Sequence, residues 1–490
     1  MSYEAIIGLE VHAQLQTKSK MFCRCSTDNA NALPNTHVCQ VCLGMPGVLP
    51  TINQQAVEHT IMTALASNCA ISEFTKFDRK NYPYPDLMKG YQISQYDTPI
   101  GREGWLAIEA NGQEKKVGIT RVHLEEDVAK LIHHTSPNGE NYSLMDVNRS
   151  GVPLMEIVSE PDLRSPEEAR QYLMKLRSIL QYLNVSAANM EDGNFRCDAN
   201  ISVRPEGSPE FMTKVEIKNM NSFKAVYRAL EYEVTRQIKA VEQGKRLVQE
   251  TRGWMEEKGV TVAQRSKEYA HDYRYFPEPD LPPLVLGWDW VGKIRSRLPE
   301  LPEARRDRFV VDYGLSLYNA NLLTSSKAMA DYFEDCLGTD EYNKLPKGKG
   351  TKEVSNWLLG HTSHIINANG SDVNEFRKRV SPEHLCGLIV FSHSSINTSI
   401  AKSVLGEMYD TANEAANIIS QRGLSHISDT EEVAEVVSQV IQSNIEAVTD
   451  YKAGKEQALK FLIGQIMKAT RGRASPQLAN ELLKKKLEEE

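Results

Sequence analysis

Four of the chain's eight cysteines stand in one short stretch, FCRCSTDNANALPNTHVCQVC, as Cys23-x-Cys25 followed by Cys39-x-x-Cys42. Two thiol pairs separated by a 13-residue loop can reach one tetrahedral ion, and a loop of that length costs little to close. Four sulfur ligands leave no open coordination position, so the expected role is a structural Zn²⁺ site. The competing readings are reduced thiols packed in turns and a redox pair. Cys69, Cys197, Cys336 and Cys386 are isolated and read as small core residues.

Alternation supplies a second set of reactive groups. In GLEVHAQL, Glu10, His12 and Gln14 share one face of a strand; in RVHLEEDV, Arg121, His123, Glu125 and Asp127 do. RCDANISVR aligns Arg196, Asp198, Asn200, Ser202 and Arg204, and KVEIKN aligns Lys214, Glu216 and Lys218. As neighbours in one sheet, Glu10, His12, Glu125, Asp198 and Glu216 would converge, and that much negative charge needs a cation. Carboxylates with one imidazole suit Mg²⁺, which commonly shares its shell with phosphate; Arg196, Arg204, Lys214 and Lys218 would serve the phosphates. A solvent-facing sheet of mixed charge would show the same alternation.

Two further stretches carry candidate ligands. NYPYPDLMKGYQISQYD (81–97) sets Lys89-Gly90 in a turn from which a lysine could approach a phosphate, although its tyrosines could equally be packing residues. No Gly-x-x-x-x-Gly-Lys-Ser/Thr loop accompanies it. The C-terminal KATRGRASPQLANELLKKKL (468–487) offers Lys468, Arg471 and Arg473 to RNA phosphates, against the alternative of a solvated helix end.

These groups need a scaffold, and 490 residues are enough for several domains. Up to about residue 290, short alternating runs predict a sheet. Two helices interrupt it: one opens on the capping box Ser165-Pro166-Glu167-Glu168, the other on Ser222, with Val226, Leu230, Val234, Ile238 and Val241 on its apolar face. FPEPDLPPL and LPELPE mark a boundary, after which the pattern is helical; a last helical unit begins near residue 406, with Ser428 and Glu431 capping a helix. A net charge of −8 excludes a chain coated in nucleic acid, yet Tyr451–Leu487 holds nine basic residues and only two acidic ones. No apolar run reaches the roughly 20 residues of a membrane span. The N-terminus lacks a signal-peptide pattern, so a cytoplasmic protein with reduced thiols is expected.

Many of these stretches occur together in one known family. GLEVH, CQVCLGMPGVLP, YPDLMKGYQISQYD, VHLEEDVAK, DVNRSGVPLMEIVSEPD, RCDANISVR, EIKNMNSF and DYRYFPEPDLPPL, then NWLLG and the KATRGRASP tail, resemble the B subunits of glutamyl/aspartyl-tRNA amidotransferases. Met88 departs from the family's usual proline, and Asp192 from its common glutamate. The resemblance implies an α+β chain: a glutamine-synthetase-like catalytic domain with an antiparallel sheet over 1–292, an all-α helical domain over 293–405 and a small helical, tRNA-binding tail domain over 406–490.

The resemblance also implies a reaction. ATP phosphorylates the side-chain carboxylate of glutamate or aspartate mischarged on tRNA(Gln) or tRNA(Asn), and ammonia displaces the phosphate. Glu10, His12, Glu125 and Glu216 would surround Mg²⁺ with Asp198 nearby, and Lys89 and Arg196 would meet phosphate or substrate carboxylate. The ammonia would come from an amidase A subunit, tied to this chain by a small C subunit in a heterotrimer. A zinc-stabilised RNA-binding protein without catalysis is the alternative, and a ligase for free glutamate a third reading.

Overall fold

The computed structural model describes residues 2–110, 112–266, 273–424, 430–452, 455–470, 473–474 and 476–489. The chain divides into two units, Met1–Leu301 and Pro302–Glu490. The first is a mixed α/β body built on a 12-stranded sheet. From one edge its strands run Val260–Ser266, Glu250–Met255, Val215–Met220, Phe195–Pro205, Tyr3–Gln14, Pro153–Ser159 and Gln113–Glu126. The last of these is shared. Its earlier part pairs with Gly101–Ala110, and its end meets Tyr91–Ser94, which continues the sheet to Asp78–Asn81 and Phe276–Pro277. The pairing is antiparallel throughout except between Val215–Met220 and Glu250–Met255, which run parallel, so the expected all-antiparallel sheet needs that correction.

Each strand read from alternation is present. In Tyr3–Gln14, Leu9, Val11 and Ala13 are buried at 1% exposure or less, while Glu10, His12 and Gln14 point to the other face. The apolar side is covered by helices. Ser165 accepts from Glu168 N at 3.2 Å and Pro166 occupies the first turn of Pro166–Tyr182, whose Tyr172, Leu173, Leu176 and Leu180 are fully buried. Glu168 closes the cap by accepting from the Arg164 N–H at 2.7 Å, one residue before the position a standard capping box would use.

Phe223–Glu242 begins as expected, with Ser222 accepting from Ala225 N at 3.0 Å. Its apolar stripe holds only for the first half: Val226 and Leu230 are buried, but further along the most buried residues are Glu233 and Gln237. Glu233 is satisfied there by Arg236 and by Thr261 Oγ1 at 2.8 Å, so the helix turns a polar face to the last hairpin of the sheet.

A third covering helix, Gln54–Ala66, escapes the sequence reading although Asn53 caps it and Ala56, Val57, Ile61 and Ala64 line its buried side. It lies so close to the sheet that a Cβ at Gly101 would stand 2.6 Å from Ala64 Cβ.

The second unit is helical among the described residues, with one core spanning Phe309 to Ile419 and another from Val433 to Leu487. Helix Thr398–Thr411 crosses the expected division at 405/406, and its Val404, Leu405 and Met408 belong to the first core. Ser428, the expected cap, lies outside the described residues. No described helix is long and apolar enough to cross a membrane.

The first helical core is flanked by an ionic knot. Glu334 accepts from Arg308 Nη1 at 2.6 Å, Tyr313 Oη at 2.9 Å and Arg305 Nε at 2.9 Å. Burial would raise its pKa, but these bonds outweigh it and hold the carboxyl at about 2. A depressed pKa contributes stability above the ordinary carboxylate value of 4.5 that is lost as pH falls toward 2. Glu334→Gln is therefore expected to destabilise the helical unit by about 1–2 kcal/mol at pH 7 and by less at pH 3. Urea unfolding followed by circular dichroism at both pH values measures this, and an equal loss at both would count against the assignment.

Candidate active site and cysteine cluster

The polar face of the sheet is assembled by register. His12 lies opposite Glu156, and Glu156 opposite His123 on the next strand. His12 Nε2 stands 3.3 Å from Glu156 Oε2 and 3.5 Å from Glu125 Oε1. His123 Nε2 lies 3.6 Å from Glu156 Oε2 and 3.9 Å from Glu125 Oε2. Glu125, Glu156 and His123 are buried, and Ser94 Oγ donates to Glu125 Oε2 at 3.2 Å. One ligand-capable atom from each of His12, Glu125 and Glu156 lies within 4.8 Å of the other two. An imidazole nitrogen with two carboxylate oxygens is a donor set for a hard divalent cation.

The charges here depend on one another. Burial pushes Glu156 up, but His123 and the hydrogen bond from His12 hold it well below the usual carboxylate range. Burial likewise opposes ionisation of Glu125, and the bond from His123 with the charges of Lys80 and His12 lowers it nonetheless. Burial lowers His12, and Glu156 and Glu125 together override it to about 9. Lys80 is raised, burial being outweighed by Glu125 and Glu156 among others; its Nζ sits 5.0 Å from the centre of the Tyr273 ring. Arg121 Nη2 reaches Glu156 Oε1 at 3.3 Å.

The other expected residues are distributed more widely. Glu10 accepts from Asn200 Nδ2 at 2.8 Å and lies in register with Asp198. Lys218 bridges Asp198 and Glu216, lying 3.1 Å from the latter, and Thr251 Oγ1 donates to Glu216 at 2.8 Å. Glu10 and Glu216 are thus on the same polar face but outside the close group. Arg196 pairs with the buried Asp127 at 3.1 Å, alongside Gln14 at 2.7 Å. Arg204 pairs with Glu4 at 2.8 Å, towards the far end of its strand. Lys214 lines a cavity of about 330 Å³ with Glu10, Asn200, Ser202, Phe211 and Met212.

Lys89 is elsewhere. It pairs with Glu126, and Glu126 points to the face opposite Glu125, so Lys89 faces the cysteine loop across a cavity of about 210 Å³. Asp192 is exposed in a turn, where it accepts from Asn189 at 2.7 Å. In the tail, Lys468 is exposed, Arg473 Nη1 donates to Gly423 O at 3.3 Å, and Arg471 lies outside the described residues.

The four cysteines do converge: the Sγ atoms of Cys23, Cys25, Cys39 and Cys42 all lie within 4.8 Å of one another. Cys39 N donates to Cys42 Sγ at 3.1 Å. The Cys23 thiol, the Cys39 N–H and the Lys20 charge draw the Cys42 thiol down to about 4 against its burial, whereas burial leads in pushing Cys25 up to about 11. Four sulfurs at that spacing match the donor set of a tetrahedral soft-metal site.

Glu156, His123 and Lys80 complete the close group without having been expected there. His123 stands on a recognised polar face, but Glu156 is a lone charge inside the apolar run PLMEIV, where alternation gives no signal. One buried charge in an otherwise apolar strand is the available clue.

Comparison with known proteins places this geometry. Residues 5–292, the sheet unit with both clusters, match the model of the GatB/GatE catalytic domain, and residues 340–487 match that of the GatB domain. The chain is 61% identical over 488 residues to the B subunit of the aspartyl/glutamyl-tRNA(Asn/Gln) amidotransferase of Dehalococcoides mccartyi, covering 99% of each chain. It is 54% identical to that of Moorella thermoacetica over 488 residues (99% of this chain, 100% of the relative) and 52% to that of Carboxydothermus hydrogenoformans over 487 (99% of each). The chain belongs to the family of B subunits of these amidotransferases.

The coupling between His12 and Glu156 is measurable without a substrate. In metal-free protein, Glu156→Gln should lower the His12 pKa from about 9 toward the ordinary 6.5, because only Glu125 then remains to oppose burial. Stability linked to His12 is full below its unfolded value and is lost as pH rises through about 9, so the variant should also flatten the decline in stability between those values. Histidine NMR titration reads the shift; an unmoved His12 would contradict the pairing.

Proposed function

We propose that this chain is the transamidating subunit of a glutamine-dependent amidotransferase acting on glutamate mischarged on tRNA(Gln), aspartate on tRNA(Asn), or both. The observation that carries the reading is the His12–Glu125–Glu156 group, its two carboxylates buried and its imidazole partly exposed on the polar sheet face, in a chain of this family. We assign the sheet unit to the glutamine-synthetase-like class of catalytic domains on the same ground.

A carboxylate resists nucleophilic attack because its charge repels the incoming lone pair. Transfer of the γ-phosphoryl group of ATP to the side-chain carboxylate makes an acyl phosphate, and ammonia then displaces phosphate to leave the amide. Such transfer depends on positioning and charge neutralisation more than on covalent help. His12, Glu125 and Glu156 would hold Mg²⁺, which when bound offsets phosphate charge and aligns the transferring group. Lys80 and Arg121, at the rim of the group, are placed to meet phosphate oxygens. The cavity lined by Asn200, Ser202, Phe211 and Met212 has amide and hydroxyl groups for a base edge and apolar surface for its ring, so we place the nucleoside of ATP there. Glu10 and Asp198, with Glu216 and Lys218 on the adjoining strand, share the same polar face and would orient substrate.

Water would destroy the acyl phosphate, so ammonia must be delivered directly. An amidase A subunit would supply it and a small C subunit would join the two, making a heterotrimer. We assign residues 1–292 to catalysis, the helical core from Phe309 to Ile419 to a connector and the last core, from Val433 to Leu487, to tRNA, with Lys468, Arg471 and Arg473 as phosphate contacts. The four cysteines would hold Zn²⁺ as a brace for the catalytic unit. A purely RNA-binding protein is disfavoured by the two buried carboxylates, since a phosphate-binding surface should be basic.

With its partners present, ATP cleavage should require Glu-tRNA(Gln) or Asp-tRNA(Asn), and Glu156→Gln should slow amide formation by roughly 10²-fold or more while tRNA affinity is retained. ATP cleavage driven equally by free glutamate would sink the reading. Separately, Cys39→Ser should abolish equimolar zinc in the purified protein and lower the unfolding temperature by roughly 5 °C or more. Metal analysis and a thermal melt decide this, and a stable variant with full zinc would overturn the brace.

A further inference from the structure

Lys20 is the only lysine among the fully buried large side chains of the described residues. Its backbone N–H donates to Cys25 O at 3.0 Å, so the residue is tied to the cysteine loop through its main chain as well. Its ammonium makes one hydrogen bond, to Val147 O at 3.4 Å, and no carboxylate among the described residues lies within 4 Å of it. Of the acids on the cavity wall, Glu126 takes both Lys89 and the Ile93 N–H, the latter at 3.0 Å, on Oε1, and its Oε2 would stand 3.9 Å from a Cβ at Gly151. A lysine ammonium removed from water without a counter-ion costs several kcal/mol or more.

The sulfurs provide the missing charge. Lys20 and Cys42 line the same cavity, and they meet at Gly151, where a Cβ would stand 3.5 Å from Lys20 Cδ and 3.7 Å from Cys42 Cβ. The φ of +83° at Gly151 also favours glycine, and together these contacts let the lysine stem run beneath the loop. Four thiolates around a divalent cation carry a net charge of minus two by formal count. A buried ammonium beside such a centre would offset part of that charge.

We propose that Lys20 is the charge partner of the four-cysteine site, stabilising a bound divalent metal from outside its coordination shell. This rests on the zinc reading above. Groups in that position commonly change metal affinity by about 10- to 100-fold, here because the ammonium offsets thiolate charge that would otherwise favour protonation and metal loss.

The test uses full-length protein loaded with zinc and challenged with a colorimetric chelator. Lys20→Met, which keeps the stem volume and removes the charge, should release zinc at least about 10-fold faster. Lys89→Met, which empties the same cavity of its other ammonium, should stay within about twofold of the parent, because that charge is matched by Glu126. In cobalt-substituted protein, the sulfur-to-metal charge-transfer band should move to lower energy in Lys20→Met, a shift that loss of packing alone does not predict. If Lys20→Met is isolated unfolded, excess zinc during refolding should restore it by mass action.

Zinc release unchanged in folded Lys20→Met, an equal acceleration in Lys89→Met, an unshifted cobalt band, or a folding defect that excess zinc leaves uncorrected would each overturn the proposal. Absence of zinc from the parent protein would overturn the zinc reading itself.

Discussion

Glu125 and Glu156 are buried side by side, and that pair constrains the unit around it. Two carboxylates at that depth would share a proton unless cations stood close to both. His12 and His123 provide contacts at 3.3 to 3.9 Å, and Lys80 and Arg121 add charge from the rim. Three neighbouring strands must therefore hold register to within one residue, since a slip would turn an acid toward the helices and a core residue toward the site. The covering helices fix that register from behind, through the full burial of Tyr172, Leu173 and Leu176 and the close seat of Gln54–Ala66 on Gly101.

The cysteine cluster meets the sheet from the opposite face. Gln113–Glu126 ends in two consecutive acids: Glu125 joins the His12 group and Glu126 holds Lys89 against the cysteine loop. A carboxylate–imidazole group and a group of four thiols thus each draw on one of two neighbouring residues of the same strand. As donor sets the two differ: carboxylate and imidazole suit one kind of ion and thiolates another.

Much of this was legible in the sequence, for identifiable reasons. Alternation found the strands carrying Glu10, His12, Glu125, Arg196, Asp198 and Glu216 because each sets polar side chains on one face and mostly apolar ones on the other. Spacing found the four cysteines because local chelation depends on local chain. Glu156 was missed because it is the lone charge in a strand that is otherwise apolar up to its last residue, Ser159. Lys89 was expected near phosphate, yet alternation cannot say which side of the sheet a turn residue will reach. Gln54–Ala66 went unread because its alanines and threonines make a weak apolar stripe, and its burial comes from proximity to a glycine. The second half of Phe223–Glu242 shows the converse, an apolar stripe overruled by the buried Glu233.

The adjacency of Glu125 and Glu126 also limits how lineages of this chain can vary in length. Most strands of a large sheet tolerate a residue gained or lost where a bulge can absorb it, and the pairing of this strand already has an irregularity near Val158 and Ser159. Beyond that point the allowance ends. A single insertion between Val122 and Leu124 would carry Glu125 to the place of Glu126 and bring Leu124 into the His12 group, which would lose its acid from this strand. Substitutions can accumulate around this segment, but its spacing is fixed from both faces at once, so variation in chain length should be confined to the loops on either side of it.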